Sequence, residues 1–244
     1  MAYRGRSVLA IVPARGGSKG IPRKNLAVVG DRSLIAHAAA TIAALPWIDA
    51  SAISTDDDAM AAEGERGGLA APFRRPPELA NDTASAADAW RHAWVASEAH
   101  FGRTFDVGLW LQPTTPLRDP RDVERTLAAM VEGGFGSAAS VSEIPAHLRP
   151  ERAMTLGPDG ELGFYLPAGR GIANRQEIPA TWYRNGVCYA ATRETVVELG
   201  QTVALRAAGV PVAGTVVSID EPFDLELCNL LWERARRAGE GGAS

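Results

Sequence analysis

Five consecutive apolar residues, Val8-Leu9-Ala10-Ile11-Val12, run through Pro13 into a loop, Ala14 to Asn25, that holds three glycines and four cations. An apolar run of that length without polar alternation suits a strand buried on both faces, as in a parallel sheet covered by helices. Gly16, Gly17 and Gly20 let backbone N–H groups turn toward a common point, the geometry of an anion-binding nest. Arg15, Lys19, Arg23 and Lys24 place four positive charges around it. In open α/β sheets the loop after a strand's carboxyl end is where ligands bind. The whole chain carries a net charge of −4 at pH 7, so a loop this basic runs against the overall balance, and a bound anion accounts for it.

Lysine usage narrows the reading. Of 25 basic residues only Lys19 and Lys24 are lysine, and both lie in this loop. Where arginine serves everywhere else, two retained lysines point to a need for a compact cation with rotatable donors. Neither standard phosphate loop fits. The lysine follows a serine rather than a glycine, as a Walker loop would require, and glycines at 16, 17 and 20 do not make the dinucleotide fingerprint.

Strand and helix signals alternate along the rest of the chain. Ser33 to Leu45 reads as a helix stopped by Pro46, and Ala50 to Ser54 as the next strand. Asp56, Asp57 and Asp58 follow it and are expected to cap the next helix. Asp82 is expected as the N-cap of a helix with Ala86, Trp90, Ala93 and Ser97 on one face and Trp94 beside them, both tryptophans in the core. Phe105 to Leu111 reads as a strand ending at Gln112-Pro113-Thr114-Thr115-Pro116. Asp119 caps a helix opened by Pro120, with Val123, Leu127 and Met130 on one face and Gly133-Gly134 beyond it. A strand at Gly186 to Ala190, a helix from Arg193, a strand at Thr215 to Ile219 and a helix after Pro222 follow. The pattern predicts an α/β fold with a mostly parallel sheet covered on both sides.

The rhythm breaks between residues 142 and 184, which hold five prolines. Met154-Thr155-Leu156 and Glu161-Leu162-Gly163 flank a Gly157-Pro158-Asp159-Gly160 turn, a small hairpin. Too short to fold alone, 142–184 is expected as an inserted arm of a single domain spanning 1–244, packing on that domain or on a second copy. Cys188 and Cys228 lack the spacing of a disulfide scaffold or a zinc site, and the four histidines lack ligand spacing. A pI of about 5.6 is not that of a nucleic-acid binder. No apolar run nears the roughly 20 residues of a bilayer span. With no signal-peptide core after Met1 to Arg6, the expectation is a soluble, cytoplasmic protein without a membrane partner.

Pro13 to Gly20, with Lys24-Asn25, resembles the signature of the CMP-sialic acid synthetase (acylneuraminate cytidylyltransferase) family. The resemblance continues in Ser54 to Asp57, Arg75-Pro76-Pro77-Glu78-Leu79 and Asn81 to Ser85. It extends through Leu111-Gln112-Pro113-Thr114-Thr115-Pro116-Leu117-Arg118, Arg175-Gln176 with Pro179, Asn185-Gly186, and Ile219 to Pro222 with Asp224-Leu225. These blocks cover nearly the whole chain in the family's order.

The resemblance implies a Rossmann-like nucleotidyltransferase fold whose inserted arm serves a homodimer. It implies transfer of CMP from CTP to a hydroxyl of an acidic sugar, with release of pyrophosphate and Mg²⁺ as cofactor. A phosphonate or another acidic small molecule as acceptor, and a CTP-binding regulatory subunit without turnover, are the alternatives. By matching positions, Arg15, Ser18, Lys19 and Lys24 would hold the triphosphate against Gly16 and Gly17, while Asn25, Arg75 and Ser85 would hold ribose and cytosine. Without the motif, a solvated loop arginine is the lesser alternative for Arg75. Lys24, Arg15 and Asp220 are the expected catalytic groups. Gln112 and Arg175 would bind the acceptor, Arg175 by a two-pronged grip on a carboxylate. Arg149, in the arm, is a candidate for a further sugar-binding residue reaching across the dimer. Asn185 and Tyr189 could serve the site or the fold. The departure lies at the metal. An Asp-Ile-Asp step in the family is Ser218-Ile219-Asp220 here, leaving Asp220 as the expected Mg²⁺ ligand with Asp224 as a second candidate. Mg²⁺ takes only one or two protein carboxylates where phosphates and water complete its shell.

Overall fold

The computed structural model describes residues 3–171 and 178–241. Its elements begin with β1 (Val8–Pro13), β2 (Val28–Val29), β3 (Arg32–Ser33), α1 (Leu34–Ala43), β4 (Ala50–Ser54) and α2 (Asp58–Arg66). There follow α3 (Ala86–Phe101), β5 (Val107–Trp110), α4 (Pro120–Gly133), β6 (Ser137–Glu143), β7 (Met154–Leu156) and β8 (Leu162–Phe164). The last are β9 (Trp182–Thr192), β10 (Ala207–Pro211) and α5 (Pro222–Gly241).

β1 is buried along residues 8–12, and its alternation feeds two cores. Val8, Ala10 and Val12 pack with Ile35, Ala38 and Ile42 of α1 and with Val123, Leu127 and Met130 of α4. Leu9 and Ile11 face the other way, onto Trp90, Ala93 and Trp94 of α3. A strand apolar on both faces therefore has a helical layer on each side. The six-stranded sheet runs β10-β6-β9-β5-β1-β4. β4, β1 and β5 are mutually parallel, with Leu9 opposite Ala50 and Val8 opposite Val107, and β9 is antiparallel to β5. The carboxyl ends of β1, β4 and β5 thus share one edge, and their following loops meet there.

The helix signals for α1, α2 and α4 match local chemistry. Ser33 accepts from the Ala36 N–H, Asp57 from the Met60 N–H and Asp119 from the Arg121 N–H, each satisfying an orphan donor of a first turn. Three expectations need correction. Ser85, not Asp82, caps α3, accepting from the Ala87 and Asp88 N–H groups, because Asp82 is drawn to cations of the first loop. Thr215 to Ile219 has no regular structure and joins no sheet. The helix expected from Arg193 is one π-type turn, Glu194–Glu198. β6 and β10, rich in alanine and serine, lack the large alternating side chains that mark a strand in sequence.

The chain divides into two compact units, one of Met1–Ser140 with Asn185–Ser244 and one of Val141–Arg184. Within the second, β7 and β8 pair as an antiparallel hairpin with Met154 opposite Phe164. The turn between them closes with the Gly157 N–H donating to the Glu161 carbonyl at 2.8 Å. Leu156 and Leu162, on this hairpin, are 74% and 63% exposed.

Candidate active site

Between the loops at the shared sheet edge lies a cavity of about 330 Å³. Arg15, Gly17, Ser18, Lys24 and Asn25 of the first loop line it, with Arg75, Asn81 and Ser85 from the segment before α3 and Trp110, Gln112 and Thr114 from the end of β5.

The first loop folds back on itself. Asn25 Nδ2 donates to the Arg15 carbonyl oxygen at 3.1 Å and ties its two ends together. At Gly20 a Cβ would lie 2.3 Å from the Asp220 carbonyl oxygen, so only glycine lets the loop approach the segment ahead of α5 so closely. That approach brings Lys24 Nζ to 2.8 Å from Asp220 Oδ1. The other cations also face carboxylates. Arg15 Nη2 is 3.0 Å and Lys19 Nζ 2.8 Å from the two oxygens of Asp82, and Arg23 Nη2 is 3.0 Å from Asp57 Oδ1. The hydrogen bond from Lys19, with Arg15 adding to it, holds the Asp82 carboxyl below its ordinary range. The Gly16 N–H donates to Asp56 Oδ1 at 2.7 Å. Exposed pairs of this kind are worth little in water, so a polyanion that engages several of the cations at once can displace them.

Arg75 is different in kind. It is buried, with Nε donating to Ser54 Oγ at 3.1 Å and Nη2 to the Ser54 carbonyl at 2.7 Å. Burial pushes its pKa down to about 10, which still leaves it a cation at neutral pH. Across the cavity, Gln112 follows β5. Its side chain lies over Gly186, which has a φ of 79°, and a Cβ there would come within 2.8 Å of Gln112 Oε1.

Ser218 is exposed, Ile219 buried and Asp220 exposed, so 218 and 220 share a face although no ladder holds them. The Ile219 N–H donates to the Thr114 carbonyl at 2.8 Å and keeps this segment at the end of β5. Asp224 Oδ2 accepts from the Asp220 and Glu221 N–H groups at 2.9 and 2.8 Å, so the start of α5 already occupies that carboxylate. Among the described residues no three His, Cys, Asp or Glu side chains group as a metal centre. The donor set fits Mg²⁺ only in its sparsest form, one carboxylate from Asp220 with the remaining ligands from phosphate and water.

The structure brings Arg15, Gly17, Ser18, Lys24, Asn25, Arg75, Ser85 and Gln112 around one cavity. It turns Lys19 to Asp82 and the Gly16 N–H to Asp56. Arg149 is committed within the arm: Nη1 donates to the Ile178 carbonyl at 2.7 Å and Nη2 lies 2.5 Å from Glu143 Oε1. Asn185 is buried, its Oδ1 accepting from Ser140 Oγ at 2.6 Å and the Val187 N–H at 3.2 Å, a fold-building role. Arg175 lies outside the described residues. Trp110 and Asn81 were not anticipated as lining the cavity. Trp110 is two positions from Gln112 and so on the same side of the chain, a signal available from alternation alone. Asn81 accepts from Arg15 Nη1 through its carbonyl at 2.9 Å, a backbone contact with no side-chain signature in sequence.

Comparison with known proteins gives four findings of one kind. A family model described as cytidylyltransferase matches residues 9–145. The chain is 26% identical over 228 residues to a pseudaminic acid cytidylyltransferase of Campylobacter jejuni, covering 92% of this chain and 96% of that protein. It is 30% identical over 158 residues to a CMP-N,N'-diacetyllegionaminic acid synthase of Legionella pneumophila, covering 64% of this chain and 65% of that one. In fold it is similar to a CMP:2-keto-3-deoxy-manno-octonic acid synthetase solved with CTP, with a TM-score of 0.67, 19% identity, and coverage of 94% and 99%.

Proposed function

The chain belongs to the cytidylyltransferase family, and from that premise we propose that it transfers CMP from CTP to the hydroxyl of a nonulosonic, sialic-type acid. The observation that carries the reading is the convergence of Arg15, Lys24 and Arg75 with Gln112 on one cavity at the carboxyl ends of β1 and β5. Two relatives that act on such acids, by their names, support the choice of acceptor.

The attacking hydroxyl oxygen forms a bond to the α-phosphorus, and the bond from that phosphorus to the bridging oxygen breaks. Pyrophosphate leaves with the electron pair, and the hydroxyl proton passes to solvent. Such a reaction asks the protein for alignment and charge neutralisation rather than a covalent intermediate. Arg15, Ser18, Lys19 and Lys24 hold the triphosphate, whose arrival takes Arg15 and Lys19 from Asp82 and Lys24 from Asp220. Arg75, already rigid on Ser54, presents its guanidinium to the base, with Asn25 and Ser85 beside the ribose. Gln112 orients the acceptor. Asp220 would hold Mg²⁺, which supplies neutralisation of the triphosphate oxygens. The exposed apolar hairpin of the arm serves a homodimer, and the setting is the cytoplasm.

The test is pyrophosphate release from CTP and Mg²⁺ across a panel of nonulosonic acids, Kdo and simple phosphonates. Release with a nonulosonic acid, reduced by about 100-fold or more in Asp220→Ala, is the expected result. Release with phosphonates alone transfers the reading to another acceptor. Silence across the panel with CTP still bound points to a regulatory subunit, and Ser218→Asp then asks whether a second carboxylate restores turnover.

A further inference from the structure

Arg118 stands between β5 and α4, only 7% exposed, and belongs to none of the roles above. Its Nη2 donates to the main-chain carbonyl oxygen of Gln112. Nε and Nη1 are buried with no hydrogen-bond partner, and no carboxylate pairs with the guanidinium, among the described residues. Burial lowers its pKa to about 10, so it is charged at neutral pH. A buried cation with neither counter-ion nor full hydrogen bonding is costly, and a chain keeps one where another group answers it.

What the side chain holds indicates its use. Gln112 sits just beyond the last ladder pair of β5, Trp110 with Tyr189, so no strand neighbour fixes its carbonyl. That oxygen is held instead by Arg118 and by the Thr115 N–H at 3.3 Å. On the other side, the Gln112 amide packs against Gly186, where a Cβ would lie 2.8 Å from Oε1. Main chain and side chain of the one glutamine in the cavity wall are thus fixed separately.

We propose that Arg118 is a positioning residue for the acidic acceptor: it locks Gln112, the acceptor contact, through its main-chain carbonyl oxygen. The inference rests on the reading of the acceptor as an acidic sugar. It separates Arg118 from the nucleotide-binding cations, which act on the other substrate.

The experiment measures KM for CTP, KM for the acceptor and kcat, with thermal unfolding, in Arg118→Met, Arg118→Gln, Arg118→Lys, Gln112→Ala and the Arg118→Met/Gln112→Ala double variant. Arg118→Met is expected to raise the acceptor KM about tenfold or more while the CTP KM stays within about twofold. Arg118→Lys recovers most of the loss, and Arg118→Gln, which keeps a donor without the charge, recovers less. In the Gln112→Ala background Arg118→Met adds little, since both act through one group. A parallel rise of both KM values, a fall in kcat alone, or losses that multiply in the double variant overturns the proposal. Failure of all three Arg118 variants to fold also overturns it and assigns the residue to the core. Silence of the wild-type protein with every nonulosonic acid removes the functional reading and this proposal with it, whereas wild-type turnover with an unmoved acceptor KM removes only the proposal.

Discussion

Lys24 and Asp220 meet at 2.8 Å although 196 positions separate them, and the contact depends on a residue with no side chain. Gly20 lets the loop carrying Lys24 rest against the backbone at Asp220, where a methyl group would lie 2.3 Å from a carbonyl oxygen. Gly20→Ala is therefore expected to push the loop off that segment and lower kcat/KM by about 100-fold, the cost of misplacing a reacting group by about 1 Å. Because the loop is a surface feature, the melting temperature should move little, and a large loss of stability with activity per folded molecule intact would sink this account. At this scale the identities of the cations were legible in sequence, since three glycines and two lysines in one loop have few uses. Their partners were not. Asp82 reads as a helix cap until the fold places it between Arg15 and Lys19.

Elements were legible where local chemistry sets them. Ser33, Asp57 and Asp119 begin helices because their side chains bond to the N–H two or three residues on, a relation contained in a few positions. At α3 the cap expected at Asp82 falls instead to Ser85, which accepts from the Ala87 N–H at 3.1 Å. Ser85→Ala is expected to cost about 1 kcal/mol through the lost cap. In a chain of 244 residues that lowers the melting temperature by roughly 2–4 °C in calorimetry. Asp82→Ala, by the same measurement, should leave stability nearly unchanged. An equal or larger drop for Asp82→Ala would return the cap to that residue. The strand expected at Thr215 to Ile219 shows the limit of reading elements locally. Ile219 is buried between two exposed neighbours, but a strand also needs a partner edge, and among the described residues the Ile219 N–H alone is seen to find one, at the Thr114 carbonyl.

At the scale of the whole molecule, the arm is where sequence and assembly meet. Leu156 and Leu162 project from a hairpin that leaves both largely exposed, a costly surface for a monomer. A second copy covering it is the proposed remedy, so light scattering should give about twice the chain mass of 25.8 kDa. Leu156→Asp/Leu162→Asp should shift the particle toward the single-chain mass, while a wild-type protein already at that mass would remove the dimer. The sequence by itself determined the strand-to-loop motif, the family resemblance, the starts of α1, α2 and α4 and the charge of the phosphate loop. Each of these is encoded by residues that interact within a few positions. Only the tertiary structure decided that Arg75 is buried on Ser54 and that Asp220 faces Lys24. It alone placed Arg118 behind Gln112 without a counter-ion among the described residues. Burial and long-range pairing depend on which surfaces the sheet order brings together, and no local pattern carries that order.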